Sequence, residues 1–191
     1  MPVTINGNGS ITGLSVGGLP NGTVDADTLA SGLATQGITM TDQWRLNTDH
    51  TITNSTAYFI NNNWERVDSD NFGQLGTGMT ESSGIFTFPS TGIYLIQTTV
   101  NFRSPDNTSS TYAYLTTATD GSTFGDAALA LGRVSATNTY ATCTCDFVFD
   151  VTNTSTHKVM LKAYVTRANT VAAGDSNRNM TSMTFIRLGD T

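Results

Sequence analysis

The sequence contains very little lysine and glutamate, two of each in 191 residues, against 35 threonines, 16 serines and 16 asparagines. Lysine and glutamate commonly fill exposed helix faces, whereas threonine is β-branched and serine and asparagine compete for backbone hydrogen bonds. The composition therefore disfavours a helical bundle and favours a polar β-protein. Hydrophobic residues, at 38%, suffice for one core, and the length fits a domain of about 150 residues plus an extension.

The chain also lacks a basic stripe, a long apolar run and a set of paired cysteines. Its net charge is −6, so we expect no nucleic-acid partner and no binding to an anionic membrane. No stretch approaches the roughly 18 consecutive apolar residues of a membrane span, and we expect no membrane insertion and no secretory signal. With only Cys143 and Cys145, no disulfide framework is expected, which favours a soluble protein made in a reducing cytoplasm.

Residues 1–42 differ in composition from the rest of the chain. The first forty include eight glycines and no aromatic residue, lysine or arginine, so burial cannot offset their ordering entropy. Acidic residues ahead of Leu29 and Leu33 predict one short helix at 25–32, which is too short to be stable alone. We interpret residues 1–42 as a mostly extended attachment arm that becomes ordered against a partner or against other copies. The alternative is a loose tail without function.

From residue 43 to residue 191 the pattern is that of short strands separated by turns. Apolar and polar residues alternate in 94–102, 141–151 and 159–165, the period of a strand with one buried face. Six further segments are predicted as strands: 43–47, 57–60, 85–88, 111–117, 129–134 and 183–188. Many short strands without an intervening helix predict an all-β, antiparallel jelly-roll sandwich over 43–191.

One part of this head resembles a known family. Phe86-Thr87 followed by Gly92-Ile93-Tyr94 is similar to the aromatic, glycine and tyrosine spacing in the globular head of the first complement component. That head belongs to the tumour-necrosis-factor-like jelly rolls. The resemblance extends more weakly to Val159-Met160-Leu161 and to the closing strand around Phe185-Ile186-Arg187-Leu188, and covers about residues 72–190.

The sequence departs from that family pattern at several positions. Thr156-His157 stands where the family usually has Gly-Asp, Leu95 and Ile96 replace aromatic residues, and Pro89 is displaced. The resemblance implies a jelly roll of about ten strands that packs as a homotrimer. The family shares no catalytic residues, so the resemblance implies none here.

The segments that flank the head resemble bacteriophage proteins. ITGLSVGGLP, the segment ITMTDQWRL and the terminal TFIRLGDT are similar to parts of marine phage virion proteins, in which a glycine-rich anchor precedes a trimeric head. This resemblance implies a structural protein of the tail-fibre or capsid-appendage type. It also implies that the protein is located in the virion, which is assembled in the cytoplasm of a host bacterium.

The motifs that could indicate an enzyme are weak. Gly13-Leu14-Ser15-Val16-Gly17 has the letters of a nucleophile elbow, but that motif requires a buried strand before it and a helix after it, and both flanks are glycine-rich. There is no phosphate-binding loop, dinucleotide fingerprint or histidine-rich pattern, so we predict no cofactor and no enzymatic activity. Two of the 15 acidic residues could still approach each other, which leaves a small polysaccharide-degrading enzyme as an alternative.

Metal binding is also weakly indicated. Cys143 and Cys145 are two residues apart in a strand, a separation that disfavours a disulfide, and His157 falls in a turn at the far end. We therefore predict no zinc site and two buried free thiols. The segment 68–73 begins like a calcium loop, but Phe72 occupies its fifth position and no glutamate follows at the twelfth. A calcium ion at a trimer loop stays open.

Surface chemistry gives the most specific hypothesis. Aromatic rings near short hydroxyl and amide side chains suit sugars, because a ring can stack on the apolar face of a sugar while polar groups bind its hydroxyls. The predicted ligand contacts are Trp64, Arg103, Asp106, Asn107 and Tyr112. The alternative, that tyrosines line the trimer axis, is favoured for Tyr114 and is open for Tyr112.

Together these observations predict a homotrimeric, non-enzymatic virion appendage. Its arm, residues 1–42, would contact other virion proteins, and its head would bind a glycan on the host surface. One alternative is a capsid decoration protein that clamps the shell, and a second is the polysaccharide-degrading enzyme.

Overall fold

The computed structural model describes residues 4–5, 11–12, 37–53, 56–105 and 109–191. The chain divides into two units, Met1–Gln36 and Gly37–Thr191. In the first unit, β1 (Thr4–Ile5) pairs antiparallel with β2 (Ile11–Thr12), with Thr4 opposite Thr12. The helix predicted at 25–32 and the motif around Ser15 lie outside the described residues. The attachment arm therefore stays a prediction.

The second unit is built from strands. Its described residues form thirteen of them, and no helix in the described part of the chain is long and apolar enough to cross a membrane. The strands are β3 (Met40–Leu46), β4 (His50–Thr51), β5 (Tyr58–Phe59), β6 (Trp64–Arg66), β7 (Thr80–Ser82), β8 (Ile85–Thr87), β9 (Gly92–Arg103), β10 (Ser109–Ala118), β11 (Gly125–Val134), β12 (Tyr140–Val151), β13 (Lys158–Val165), β14 (Val171–Ala172) and β15 (Ser182–Gly189).

These strands form two antiparallel sheets. The six-stranded sheet has the order β11-β10-β13-β8-β7, with β5 also paired to β13. The seven-stranded sheet has the order β4-β14-β9-β15-β3-β6, with β12 also paired to β9. Strands distant in sequence are neighbours in each sheet, as in a jelly roll. The predicted all-β, antiparallel jelly-roll fold is confirmed.

The core is formed by one side of each long strand. Tyr94, Ile96 and Val100 of β9 are fully buried, as are Val159 and Leu161 of β13. These are the positions that the alternation assigned to the inside. Each such side chain contributes about 1.5–3 kcal/mol when it leaves water, so the long strands supply most of the burial that holds the sheets together.

The residues that carry the family resemblance lie at the centre of this core. The ring of Phe86 on β8 lies 5.2 Å from that of Phe185 on β15, which joins the two sheets. The Tyr94 hydroxyl donates a 2.9 Å hydrogen bond to the Ser90 carbonyl. Gly92 has a φ of +145°, and a Cβ there would lie 2.6 Å from the Gly189 carbonyl oxygen. A glycine is therefore required at the start of β9.

Four strands of the second unit were not predicted from the sequence: β4, β6, β7 and β14. Each has only two or three residues, too few to reveal a period of two. β6 pairs with the longer β3 and β14 with the longer β9, whereas β7 pairs with the equally short β8 and β4 with the equally short β14. Of these four strands, β6 has the largest consequence for the predicted site, because it contains Trp64.

Candidate functional site

Trp64 lies in the core rather than on the surface. Only 9% of it is exposed, its indole nitrogen donates a 2.8 Å hydrogen bond to the Ile60 carbonyl, and its ring meets Phe86 edge-on at 5.2 Å. Pairing of β6 with β3 turns the ring inward. The predicted surface contact by Trp64 does not fit this position, and we exclude Trp64 from the candidate site.

Arg103 is the last residue of β9 and forms an ion pair with Asp49. One of its guanidinium nitrogens lies 2.6 Å from Asp49 Oδ2, and Asp49 Oδ1 accepts a 3.1 Å hydrogen bond from the Gly174 amide. This pair fixes the segment before β4 against the end of β9. Asp106 and Asn107 lie outside the described residues, so their role as ligand contacts stays a prediction.

Tyr112 and Tyr114 lie side by side on the outer surface of β10. Both are half-buried, and their rings are nearly parallel, with an interplanar angle of 12° and centroids 6.5 Å apart. Thr111, Ala113 and Leu115, which alternate with them, face the core. Both tyrosines therefore point outward from the six-stranded sheet and form one surface.

Three residues on the adjacent strands extend this surface. Tyr164 of β13 lies opposite Tyr112 and its ring packs against Tyr112 at 5.2 Å. On β11, Leu131 lies opposite Tyr112 and Leu129 opposite Tyr114. We call these five residues, Tyr112, Tyr114, Tyr164, Leu129 and Leu131, the tyrosine face. The exposed fraction of Leu131 reaches 65%, which is high for a leucine in a sheet and makes the face a candidate interaction surface.

A lysine and an aspartate border the tyrosine face at Tyr114. Lys162 Nζ lies 4.5 Å from the centre of the Tyr114 ring and forms an ion pair with Asp126. Partial burial, followed by the nearby Asp126 charge, raises the pKa of Tyr114 above its ordinary value. The phenol is protonated at neutral pH, as an unperturbed tyrosine would be, and can donate a hydrogen bond. The face presents flat rings, leucine side chains and phenol hydroxyls. This combination suits a ligand that has both an apolar face and hydrogen-bonding groups.

The cysteines behave as the sequence predicted. Both are free and buried, so the prediction of two buried free thiols is confirmed. Burial raises the pKa of Cys143, and Cys145 Sγ lies 3.0 Å from Thr98 Oγ1. His157 stacks on Phe149 with ring centres 5.4 Å apart. Within the described ranges, no group of three His, Cys, Asp or Glu side chains is arranged to hold a metal ion.

The calcium-like segment 68–73 contacts a buried arginine. Arg45 donates hydrogen bonds to Asp68 Oδ1 at 2.9 Å and Ser69 Oγ at 3.0 Å, and its Nε lies 2.7 Å from Glu65 Oε1. The guanidinium therefore compensates the charge of this acidic turn.

Both glutamates of the chain have structural partners. Glu65 is paired with Arg45, and Glu81 Oε1 accepts a 2.6 Å hydrogen bond from the Gly84 amide in the turn between β7 and β8. These contacts fix both side chains within the head.

The fold is similar to that of tumour-necrosis-factor-like jelly rolls. The crystal structure of murine APRIL superposes with a TM-score of 0.52 at 17% identity, over 78% of this chain and 98% of that one. The Eiger TNF structure from S. frugiperda also gives 0.52, at 12% identity, over 80% of this chain and 94% of that one. No family model and no curated protein matches the sequence. At these identities the likeness shows the fold alone, which agrees with the resemblance read from Phe86 to Tyr94.

Proposed function

We propose that this chain is the subunit of a homotrimeric, non-enzymatic virion appendage whose head binds a glycan on a host surface. The observation that carries the proposal is the tyrosine face. Stacked and edge-packed rings on a rigid sheet can receive the apolar face of a sugar, and adjacent hydroxyls can bind its polar edge. Three such faces in one trimer would raise the apparent affinity for a repeating glycan by about 10²-fold.

The seven-stranded sheet offers a surface for trimer contact. On its solvent side, Val148 of β12, Leu95 of β9 and Ile186 of β15 lie in register as one row across three strands. We call these three residues the apolar row. The exposed fraction of Val148 is 54%. Burial of the apolar row between subunits would stabilise a trimer and leave the tyrosine face, on the other sheet, free for a ligand.

The virion role rests on the N-terminal segment. Residues 1–42 include the glycine-rich segment that resembles the anchors of phage virion proteins. Because Met40–Leu46 form β3 of the head, we assign the attachment to other virion proteins to the residues before β3. An image of the particle with the subunit labelled would test this assignment. A head projecting from a tail or capsid fibre supports it, whereas a head lying flat on the shell identifies a capsid decoration protein.

Incubation of the full chain with purified bacterial envelope polysaccharide tests the binding function. Both bound protein and polysaccharide length are measured. Saturable binding without shortening is the expected result. Shortening of the polymer would instead identify a degrading enzyme, and the absence of any interaction would favour the decoration protein.

A further inference from the structure

Ion pairing divides the arginines of this protein into two groups. Five of the seven arginines lie within 4 Å of a carboxylate: Arg45, Arg66, Arg103, Arg178 and Arg187. Arg133 and Arg167 have no ion-pair partner among the residues that the structure describes. Both are exposed, and both line the same cleft. The two arginines without a carboxylate are therefore neighbours.

The cleft continues the tyrosine face along the same strands. It has a volume of about 270 Å³ and is lined by Ser110, Arg133, Thr166 and Arg167, which we call the arginine cleft. Ser110 lies opposite Arg133 across β10 and β11, and its amide donates a 2.9 Å hydrogen bond to Thr166 Oγ1. Because Ser110 precedes Tyr112 by two residues in a strand, their Cα atoms are about 7 Å apart, and the cleft adjoins the tyrosine face.

The charge of this cleft is opposite to that of the molecule. The chain carries −6 overall, yet two arginines line this cleft without a described acidic partner. Like charges in one cleft repel each other, and an anion between them would relieve that repulsion. Guanidinium groups bind carboxylate, sulfate and phosphate oxygens through paired hydrogen bonds, and the hydroxyls of Ser110 and Thr166 can add more.

We infer that the arginine cleft binds the anionic group of an acidic sugar while a neighbouring sugar ring stacks on Tyr112. The inference rests on the proposed glycan-binding function and gives the ligand class: a polysaccharide that carries carboxylate or sulfate groups. A cleft of this size, just below the ~300 Å³ at which ligand pockets usually begin, accommodates a charged substituent of one sugar unit rather than a whole oligosaccharide.

Binding of the full chain to four polymers tests this inference. Polygalacturonate is compared with the same polymer after reduction of its carboxyl groups to alcohols, and dextran sulfate with dextran. We expect at least tenfold tighter binding to one acidic polymer than to its neutral counterpart, and the tighter pair identifies the anion as carboxylate or sulfate. The combined variant Arg133→Gln, Arg167→Gln should lose about tenfold or more in affinity for that acidic polymer, with its affinity for the neutral one unchanged.

The matched control is Arg178→Gln, which removes one positive charge from a side chain that is 81% exposed and paired with Asp175. It should bind as the wild type does. Equal affinity for acidic and neutral polymers, unaffected by the two glutamine substitutions, would overturn the inference and leave the glycan-binding function intact. Failure to bind any of the four polymers or the envelope polysaccharide would overturn both.

Discussion

His50 shows how burial at one residue links stability to pH. Its Nδ1 lies 2.7 Å from Asn62 Oδ1, and its buried Nε2 has no hydrogen-bond partner among the described residues. Burial, which outweighs the Asn62 hydrogen bond, lowers the pKa of His50 below its ordinary value of 6.5. The folded protein thus holds a neutral imidazole at a pH where the unfolded chain takes up a proton.

The consequence is a loss of stability on the acidic side of pH 6.5. Above that pH both states are neutral at His50 and its contribution is complete, whereas below it the unfolded state is favoured until the folded pKa is reached. The unfolding free energies of the wild type and of His50→Gln are measured in urea at steps from pH 7.5 to 5.5. The wild-type value minus the variant value should decrease as the pH falls. A value that stays constant or increases would contradict the assignment.

Two aromatic residues show that the burial of a side chain could not always be predicted from its neighbours in the sequence. Trp64 and Tyr112 both stand in polar surroundings in the sequence, and both were predicted at the surface. Trp64 is turned inward because a three-residue strand pairs with β3, whereas Tyr112 points outward because Thr111 and Ala113 beside it face the core. Alternation within a long strand could be predicted, but the orientation of a short strand depends on its partner.

At the level of elements, the start of β9 depends on a single glycine. Gly92→Ala would force a Cβ against the Gly189 carbonyl at 2.6 Å and Arg187 Nε at 2.5 Å, with a φ that side chains rarely adopt. We expect a loss of about 2–3 kcal/mol in unfolding free energy, measured by urea denaturation. Gly125→Ala is the matched control, because no atom lies within 4 Å of its added Cβ. It should stay within about 1 kcal/mol of wild type, and equal effects at both sites would contradict this role of Gly92.

The long strands were predictable, but the contacts between them were not. Segments 94–102, 141–151 and 159–165 alternate so regularly that their buried faces followed from sequence alone. The tyrosine face, however, combines residues from β10, β11 and β13, which are brought together by strand register. Register depends on non-local pairing across the jelly roll. The sequence therefore could not predict that Tyr164, Leu129 and Leu131 lie next to Tyr112.

At the level of the whole molecule, the two sheets present different surfaces, and this separation predicts how subunits associate. Full-length protein should sediment at three times the 20.3 kDa chain mass. Val148→Asp places a charge in the apolar row and should shift sedimentation to the monomer, because burial of an unpaired carboxylate is costly.

Leu131→Asp is the control for that experiment, since it adds the same charge to an exposed leucine on the other sheet. It should remain trimeric. A monomeric wild type would contradict the trimer and remove the avidity of three linked sites. A trimer that persists in Val148→Asp would contradict the apolar row as its contact surface.

The most direct test of the central claim is equilibrium binding of the full chain to bacterial envelope polysaccharide, with and without the tyrosines. The variant Tyr112→Ala, Tyr114→Ala should lose about tenfold in affinity, because ring stacking contributes roughly 0.5–1.5 kcal/mol per aromatic ring. Tyr140→Ala, which removes a 53% exposed tyrosine from the other sheet, should bind as the wild type does. Saturable binding that is unchanged when both Tyr112 and Tyr114 are removed would contradict the account.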